Sequence, residues 1–131
     1  MRSDLFAGAV VLANVRNPRE SLSGSGKYRP AVLVYRTDTC GWYLVGLTSK
    51  PVFKTTNQPR TMVWASRRNG LKANGYIWGR KMTFINEEDV DRVIGVVDEH
   101  LAEVISTHCD IGELNSARLR SAARRVLRQV A

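Results

Sequence analysis

The stretch Lys27-Tyr28-Arg29-Pro30-Ala31-Val32-Leu33-Val34 gives the clearest indication of the fold. Its second half is apolar and β-branched, which is typical of a buried strand, so a strand is predicted from Tyr28 to Tyr35. Pro30 has no backbone N–H to donate and therefore belongs at the start of that strand or at a sheet edge. The preceding residues, 17–26, are rich in Pro, Gly and Ser and predict a mobile loop inside the domain.

Other short apolar segments predict a small β-rich domain. The further candidate strands are residues 9–13, 42–48, 62–65, 76–78 and 83–85. A hairpin is expected between the strands at 28–35 and 42–48, with its turn at Cys40-Gly41. Asn69-Gly70 and Asn74-Gly75 predict two tight hairpin turns, because both residue types tolerate positive φ. Many short strands with frequent turns favour a small barrel or a sandwich.

The C-terminal part of the chain predicts a change from strand to helix. Residues 91–97 are β-branched and predicted as a strand, and Asp98 is expected to cap a helix with Glu99 in its first turn. A second, amphipathic helix is expected from a cap at Asn115 or Ser116, packing on the barrel or on a partner. Its apolar stripe is Leu119, Ala122, Ala123, Val126, Leu127 and Val130. The predicted class is mainly β with C-terminal helices (α+β).

The 131-residue chain is basic, with 20 Lys and Arg against 12 Asp and Glu and a net charge of +8. The charge is uneven. Residues 1–85 hold 14 basic and 3 acidic side chains, residues 86–113 hold 1 and 9, and residues 114–131 hold 5 arginines and no acid. This excess favours an anionic partner, most often nucleic acid, although a soluble basic domain without such a partner can have the same composition.

Cysteine spacing and hydropathy narrow the function classes. Cys40 and Cys109 are far apart and form no Cys-x-x-Cys pair, so a reduced, cytoplasmic protein without a zinc site is expected. No stretch approaches the ~18 apolar residues of a membrane span, and the N-terminus makes a poor signal peptide. His100 and His108 are interpreted as surface or capping residues. The acidic cluster is interpreted as a solvated turn or a partner for a basic neighbour rather than a metal site. That cluster is Glu87, Glu88, Asp89 and Asp91.

Two positions could carry chemistry. Arg29 lies beside the rigid Pro30, and its planar guanidinium can bind a phosphate through two hydrogen bonds. The alternative is an ion pair with an acid across the barrel. The segment Thr48-Ser49-Lys50 places two hydroxyls and a cation at a strand end, before a basic loop at 49–60, but a simple turn would have the same residues.

Together these motifs resemble the MazF/PemK/Kid family of toxins from bacterial toxin–antitoxin modules. The resemblance covers about residues 7–106 and depends on the Arg-Pro strand at 27–34, on Leu47-Thr48-Ser49 and on Val93-Ile94-Gly95. It implies an SH3-like barrel at residues 1–107, with 108–131 as a basic helical extension of the same domain. It also implies a homodimer, a cognate antitoxin protein, and cleavage of single-stranded RNA without a metal or other cofactor.

The resemblance also implies roles for individual residues. Arg29 would stabilise charge on the scissile phosphate, and Thr48 would orient or relay a proton with support from Ser49. Further residues would contact the RNA by charge or by stacking. These are Lys27, Tyr28, Lys50, Lys54, Trp78, Arg80 and Lys81.

One departure from the family leaves an alternative open. The Kid branch has an arginine and an aspartate on the strand where this chain has Trp78 and Arg80, so no carboxylate is available there. The alternative function is therefore a non-catalytic binding module for nucleic acid or for a protein target, as in the related CcdB toxins. An accessory protein without toxicity is a third interpretation, and Trp78 could equally be a core residue.

Overall fold

The computed structural model describes the backbone of residues 2–15, 28–38 and 40–130, with side chains as far as Arg125. The predicted loop at 17–26 and the predicted RNA contact Lys27 lie outside the described residues, as do the side chains of Val126, Leu127 and Val130. Within the described part, no helix has both the length and the apolar character needed to cross a bilayer.

The described residues form seven strands followed by two helices. The strands are β1 (Ala9–Asn14), β2 (Tyr28–Arg36), β3 (Gly41–Thr48), β4 (Met62–Val63), β5 (Gly75–Ile77), β6 (Thr83–Asn86) and β7 (Val90–Val96). The helices are α1 (Glu99–His108) and α2 (Glu113–Val130), and a 3₁₀ turn covers Glu87–Asp89. The predicted class, mainly β with C-terminal helices, is confirmed.

All strand pairs are antiparallel, in the order β4-β5-β3-β2-β1-β7. The predicted hairpin of β2 and β3 is present, and Cys40 at its turn has a positive φ of 56°. The long strand β3 pairs with β6 along its first half and with β5 at its end. This branching curls the sheet into a half-barrel.

The two faces of the sheet pack against different parts of the chain. One face, here called the helix face, carries Val10, Val32 and Val45 and packs against α1 and α2 through residues such as Ile105 and Leu119. The opposite face, here called the outer face, has a separate buried cluster. That cluster includes Val11, Ala31, Leu33, Leu44, Ile85 and Val90. Because residues along a strand alternate between faces, neighbours on β2 belong to different cores.

The helix predictions are partly confirmed. Asp98 caps α1, and its carboxylate accepts a hydrogen bond from the Leu101 N–H (2.8 Å). The predicted cap of α2 at Asn115 or Ser116 is wrong, because the helix begins at Glu113, directly after Gly112 with its φ of 83°. Leu119, Ala122 and Ala123 are buried in the core of this chain, and Arg120 pairs with Glu103 of α1 (2.9 Å).

The predicted tight turns at Asn69-Gly70 and Asn74-Gly75 are wrong. Strands β4 and β5 do pair, but the connection between them is residues 64–74. Asn69 is fully buried, and its side chain hydrogen-bonds the Ser66 and Leu71 N–H groups, the Trp64 carbonyl and the Asp98 carboxylate. A buried amide with all these partners holds a long connection in place, so no two-residue turn is needed.

Candidate nucleic-acid interface

An open groove of about 490 Å³ lies where β1 and β3 end and β2 begins. Apolar residues of the three strands and of β7 line it. These are Leu12, Pro30, Leu47 and Ile94, and residues 70–74 of the connection, with Gly75 of β5, form a further wall. The groove has the volume of a typical ligand pocket, roughly 300–1,000 Å³.

The strand register explains why these residues meet. Leu12 pairs with Pro30 on β2 and with Arg92 on β7, and the pairing of Ala31 with Gly46 brings Leu47 beside Pro30. Alternation along the strands places Leu12, Pro30 and Leu47 on the helix face. Farther along, the helices cover that face, whereas at these strand ends it opens into the groove.

The described residues around the groove are positively charged. Four of them are basic and none is acidic. The four are Arg29, Lys50, Lys72 and Arg92. Arg92 lies 3.8 Å from the carboxylate of its sequence neighbour Asp91, and both side chains are solvent-exposed, so the pair neutralises little of this charge. An acid-free basic groove attracts anionic ligands.

Arg29 is held against Trp78 at the edge of the groove. Its guanidinium carbon lies 5.7 Å from the centre of the indole ring, within cation–π range. Both side chains are on the outer face, where Ala13 pairs with Arg29 and Trp78 packs against the buried cluster. Gly46 makes room for the ring, because a Cβ there would lie 2.8 Å from Cε3 of Trp78.

Thr48 and Arg29 both line the groove at the strand ends. The pairing of β2 with β3 reaches as far as Ala31 and Gly46, and alternation along the two strands puts Arg29 and Thr48 on the same face of the sheet. The Thr48 hydroxyl oxygen accepts a hydrogen bond from the Lys50 N–H (3.2 Å), and no described residue accepts its hydroxyl hydrogen. Thr48 can therefore donate a hydrogen bond to a ligand at the strand ends.

The structure brings together some of the predicted site residues and separates others. Those lining the groove are Tyr28, Arg29, Thr48, Ser49 and Lys50. Trp78 is half-buried and contacts Arg29, so both its predicted contact role and its alternative as a packing residue have a structural basis. The other described cations predicted to contact RNA are exposed but do not line the groove. These are Lys54, Arg80 and Lys81, of which Arg80 lies 3.8 Å from Asp110.

Arg60, in the basic loop at 49–60, has a structural role. Its guanidinium donates to the carbonyls of Val52 (2.8 Å), Lys50 (3.2 Å) and Trp78 (3.1 Å), and it lies over the Phe53 ring. Partial burial lowers the pKa of Arg60 from its usual value. Arg60 therefore ties the loop to the sheet beside Trp78.

Sequence reasoning missed Lys72 and Arg92. Lys72 belongs to the connection that was expected to contain tight turns, and Arg92 is the one basic residue of the acidic segment 86–113. A lone cation within an acidic segment was the available signal for Arg92. Nothing in the local sequence indicates Lys72, because its position depends on how Asn69 folds the connection.

The remaining candidates form no second site among the described residues. His100 stacks on Trp64 with ring centres 4.7 Å apart, and His108 is exposed in the last turn of α1. In the acidic cluster, Glu87 accepts a hydrogen bond from the backbone N–H of Arg2 (3.0 Å), and the Arg2 guanidinium donates to the backbone carbonyls of Val90 and Asp91. No described His, Cys, Asp and Glu residues cluster as metal ligands would.

No protein-family model matches this chain, and no curated protein matches it significantly.

Proposed function

We propose that this protein is a sequence-specific endoribonuclease that binds single-stranded RNA across the groove and cleaves it without a metal ion. The observation that carries the proposal is the groove, whose described lining includes Arg29 and Thr48 and holds four basic residues and no acidic one. The resemblance of the motifs around these residues to the MazF/PemK/Kid toxins supports the same reaction.

The proposed reaction is attack by a ribose 2′-OH on the adjacent phosphorus. The 2′ O–P bond forms and the P–O5′ bond breaks, while the 2′-OH loses its proton and the 5′ oxygen gains one. The products are a 2′,3′-cyclic phosphate and a 5′-OH. Arg29 stabilises the extra negative charge on the phosphoryl oxygens, and Thr48 hydrogen-bonds the reacting oxygens and relays the proton, supported by Ser49.

The proposal includes the wider properties that the resemblance implies. The half-barrel would be of the SH3-like type, and the active form would be a homodimer in the cytoplasm. A cognate antitoxin would inhibit it, and an acidic, partly disordered segment of that antitoxin would suit the basic groove.

The test is incubation of the pure protein with a long single-stranded RNA in the presence of EDTA. Discrete fragments with 5′-OH ends are expected, and Arg29→Ala and Thr48→Ala should abolish them. The matched control is Arg67→Ala, at an exposed arginine that does not line the groove. Intact RNA after incubation with a broad set of sequences would refute the proposal.

The second candidate is a binding module without catalysis. It is favoured by the absence of Asp, Glu and His among the described residues that line the groove, which leaves no side chain of the usual general-base type there. Such a module would bind RNA or a protein target without cutting RNA. Growth arrest that persists with Arg29→Ala and Thr48→Ala would favour it.

A further inference from the structure

We propose that the groove holds one base of the RNA on its apolar floor, and that Lys72 and Arg92 bind the phosphates next to that base. This proposal deepens the proposed function and rests on RNA being the ligand. It assigns recognition to residues of the connection 64–74 and of β7, outside the strand ends that hold Arg29 and Thr48.

The floor of the groove suits a flat aromatic base. Leu12, Pro30 and Leu47 present only carbon atoms of their side chains, and the space above them is about 490 Å³. Tyr28 alternates with Arg29 on β2 and so shares the helix face with Pro30, and 59% of its surface is exposed. An exposed aromatic ring beside an apolar floor is an arrangement on which single-stranded bases stack.

Two cations flank this floor. Arg92 pairs with Leu12 in the sheet, and Lys72 is exposed on the connection that lines the groove. Lys72 forms neither a hydrogen bond nor an ion pair within the described ranges of the chain. Two exposed cations beside an apolar pocket, one of them only weakly paired with an acid, match a ligand with a flat apolar part and flanking negative charges.

The wall that carries Lys72 is held in place by contacts within the chain. The Asn69 side chain ties the connection to the Asp98 carboxylate, which also caps α1. Gly70 lies so close to β7 that a Cβ on it would overlap the Ile94 carbonyl. A preformed wall loses little entropy on binding, so the pocket can discriminate among bases.

The first experiment measures base recognition by anisotropy with 2′-O-methyl oligonucleotides, which cannot undergo 2′-OH attack. The wild-type protein should bind a uridine 12-mer at least about tenfold more tightly than an abasic strand of equal length. Ala73→Trp, at an exposed wall residue, should fill the groove and remove this preference. Ala117→Trp, at an exposed alanine of α2, should leave the preference intact.

The second experiment measures the salt dependence of the same binding. Lys72→Ala and Arg92→Ala should each reduce the slope of log K against log salt by about 0.7, as expected for one lost phosphate contact on a single strand. Arg67→Ala, at an exposed arginine that does not line the groove, should leave the slope unchanged. Because these are exposed side chains, the variants should fold.

The outcomes separate this proposal from the proposed function. If the wild-type protein shows the base preference but never cuts RNA, the pocket is supported and the nuclease function is refuted. The protein could instead cut RNA while Ala73→Trp leaves the base preference unchanged and Lys72→Ala and Arg92→Ala leave the salt slope unchanged. That result would overturn the pocket and leave the nuclease function standing. Equal affinity for the uridine and abasic strands would also overturn it. Binding of polyglutamate that depends on Lys72 to the same extent would overturn it as well, and would indicate an acidic protein as the ligand.

Discussion

The guanidinium carbon of Arg29 lies 5.7 Å from the centre of the Trp78 ring, on the outer face of the sheet. Two features of the chain produce this contact. Gly46 leaves space for the indole on β3, and Arg29 comes one residue before Pro30, whose fixed φ restricts the backbone at the start of β2. The indole thus orients the cation that we assign to the scissile phosphate.

Replacement of Trp78 should therefore change catalysis through Arg29. Trp78→Phe keeps an aromatic face, whereas Trp78→Ala removes it. Since a cation–π contact contributes about 0.5–2 kcal/mol, we expect the alanine variant to cleave roughly 2- to 30-fold more slowly than the phenylalanine variant. Single-turnover cleavage below the unfolding temperature of both variants measures this difference, and equal rates would show that the ring does not position Arg29.

The shape of the Arg29 side chain should matter as well as its charge. Arg29→Lys keeps the charge but loses the planar pair of donors that contacts two phosphoryl oxygens. We expect the cleavage rate to fall by about 100-fold or more, with RNA affinity reduced only a few-fold. Arg67→Lys is the matched control. A lysine variant with nearly wild-type cleavage would reduce Arg29 to a simple positive charge.

Asn69 should be a major determinant of stability, because its fully buried amide connects the 64–74 segment to α1. Asn69→Ala leaves several buried donors and acceptors without partners, and we expect the free energy of unfolding to fall by roughly 2–4 kcal/mol. Gln58→Ala, at an exposed amide, should change it by less than about 0.5 kcal/mol. Urea unfolding followed by tryptophan fluorescence compares the two, and similar midpoints would argue against this role.

The packing of α2 predicts a loss of stability that leaves RNA binding unchanged. Leu119 is fully buried against α1 and the sheet, away from the groove. Leu119→Ala should lower the free energy of unfolding by about 2–5 kcal/mol. At a temperature where the variant stays folded, its RNA affinity and salt slope should equal those of the wild type. A smaller slope of log K against log salt in folded Leu119→Ala would mean that α2 contacts RNA.

The two cysteines should differ in reactivity and in their effect on stability. Burial raises the pKa of the Cys109 thiol to about 11, whereas Cys40 is exposed. Native protein near pH 8 should react with iodoacetamide at one thiol only, and Cys40→Ser should abolish that labelling. Rapid labelling of Cys109 in the folded protein would contradict the burial.

The raised pKa of Cys109 also predicts a pH dependence with a definite sign. Above about pH 9 the unfolded chain loses the thiol proton while the folded chain keeps it, so unfolding becomes easier as the pH rises toward 11. Cys109→Ala removes this contribution, so its loss of stability between pH 9 and 11 should be smaller than that of the wild type. Parallel curves for the two proteins would contradict the assignment.

Most of the strands could be predicted from the sequence, because strand formation here depends on residues that are close together along the chain. The apolar run of β2, the Pro30 at its start and the Asp98 cap of α1 each act on a few neighbouring residues. The prediction of a tight turn at Asn69-Gly70 was wrong because the conformation there depends on residues far away in the sequence. Asn69 takes its conformation from partners as distant in sequence as Asp98, and no local pattern records that contact.

The site was predictable to a similar extent. Arg29 and Thr48-Ser49 belong to motifs within single strands, and the groove contains all three. Lys72 and Arg92 reach the same groove only through the long connection and the pairing of β7 with β1. Lys54, Arg80 and Lys81 were assigned to RNA by the resemblance and do not line the groove, because the resemblance does not determine which face of this fold a residue occupies.

The most direct test of the central claim replaces one ribose. An RNA that the protein cuts at a single place is prepared again with 2′-deoxyribose on the 5′ side of the cut bond, and both strands are incubated with enzyme and EDTA. Our account predicts cleavage of the ribose strand, with a cyclic phosphate and a 5′-OH as its ends, and no cleavage of the deoxy strand despite similar binding. Cleavage of the deoxy strand at the same bond would contradict attack by the 2′-OH.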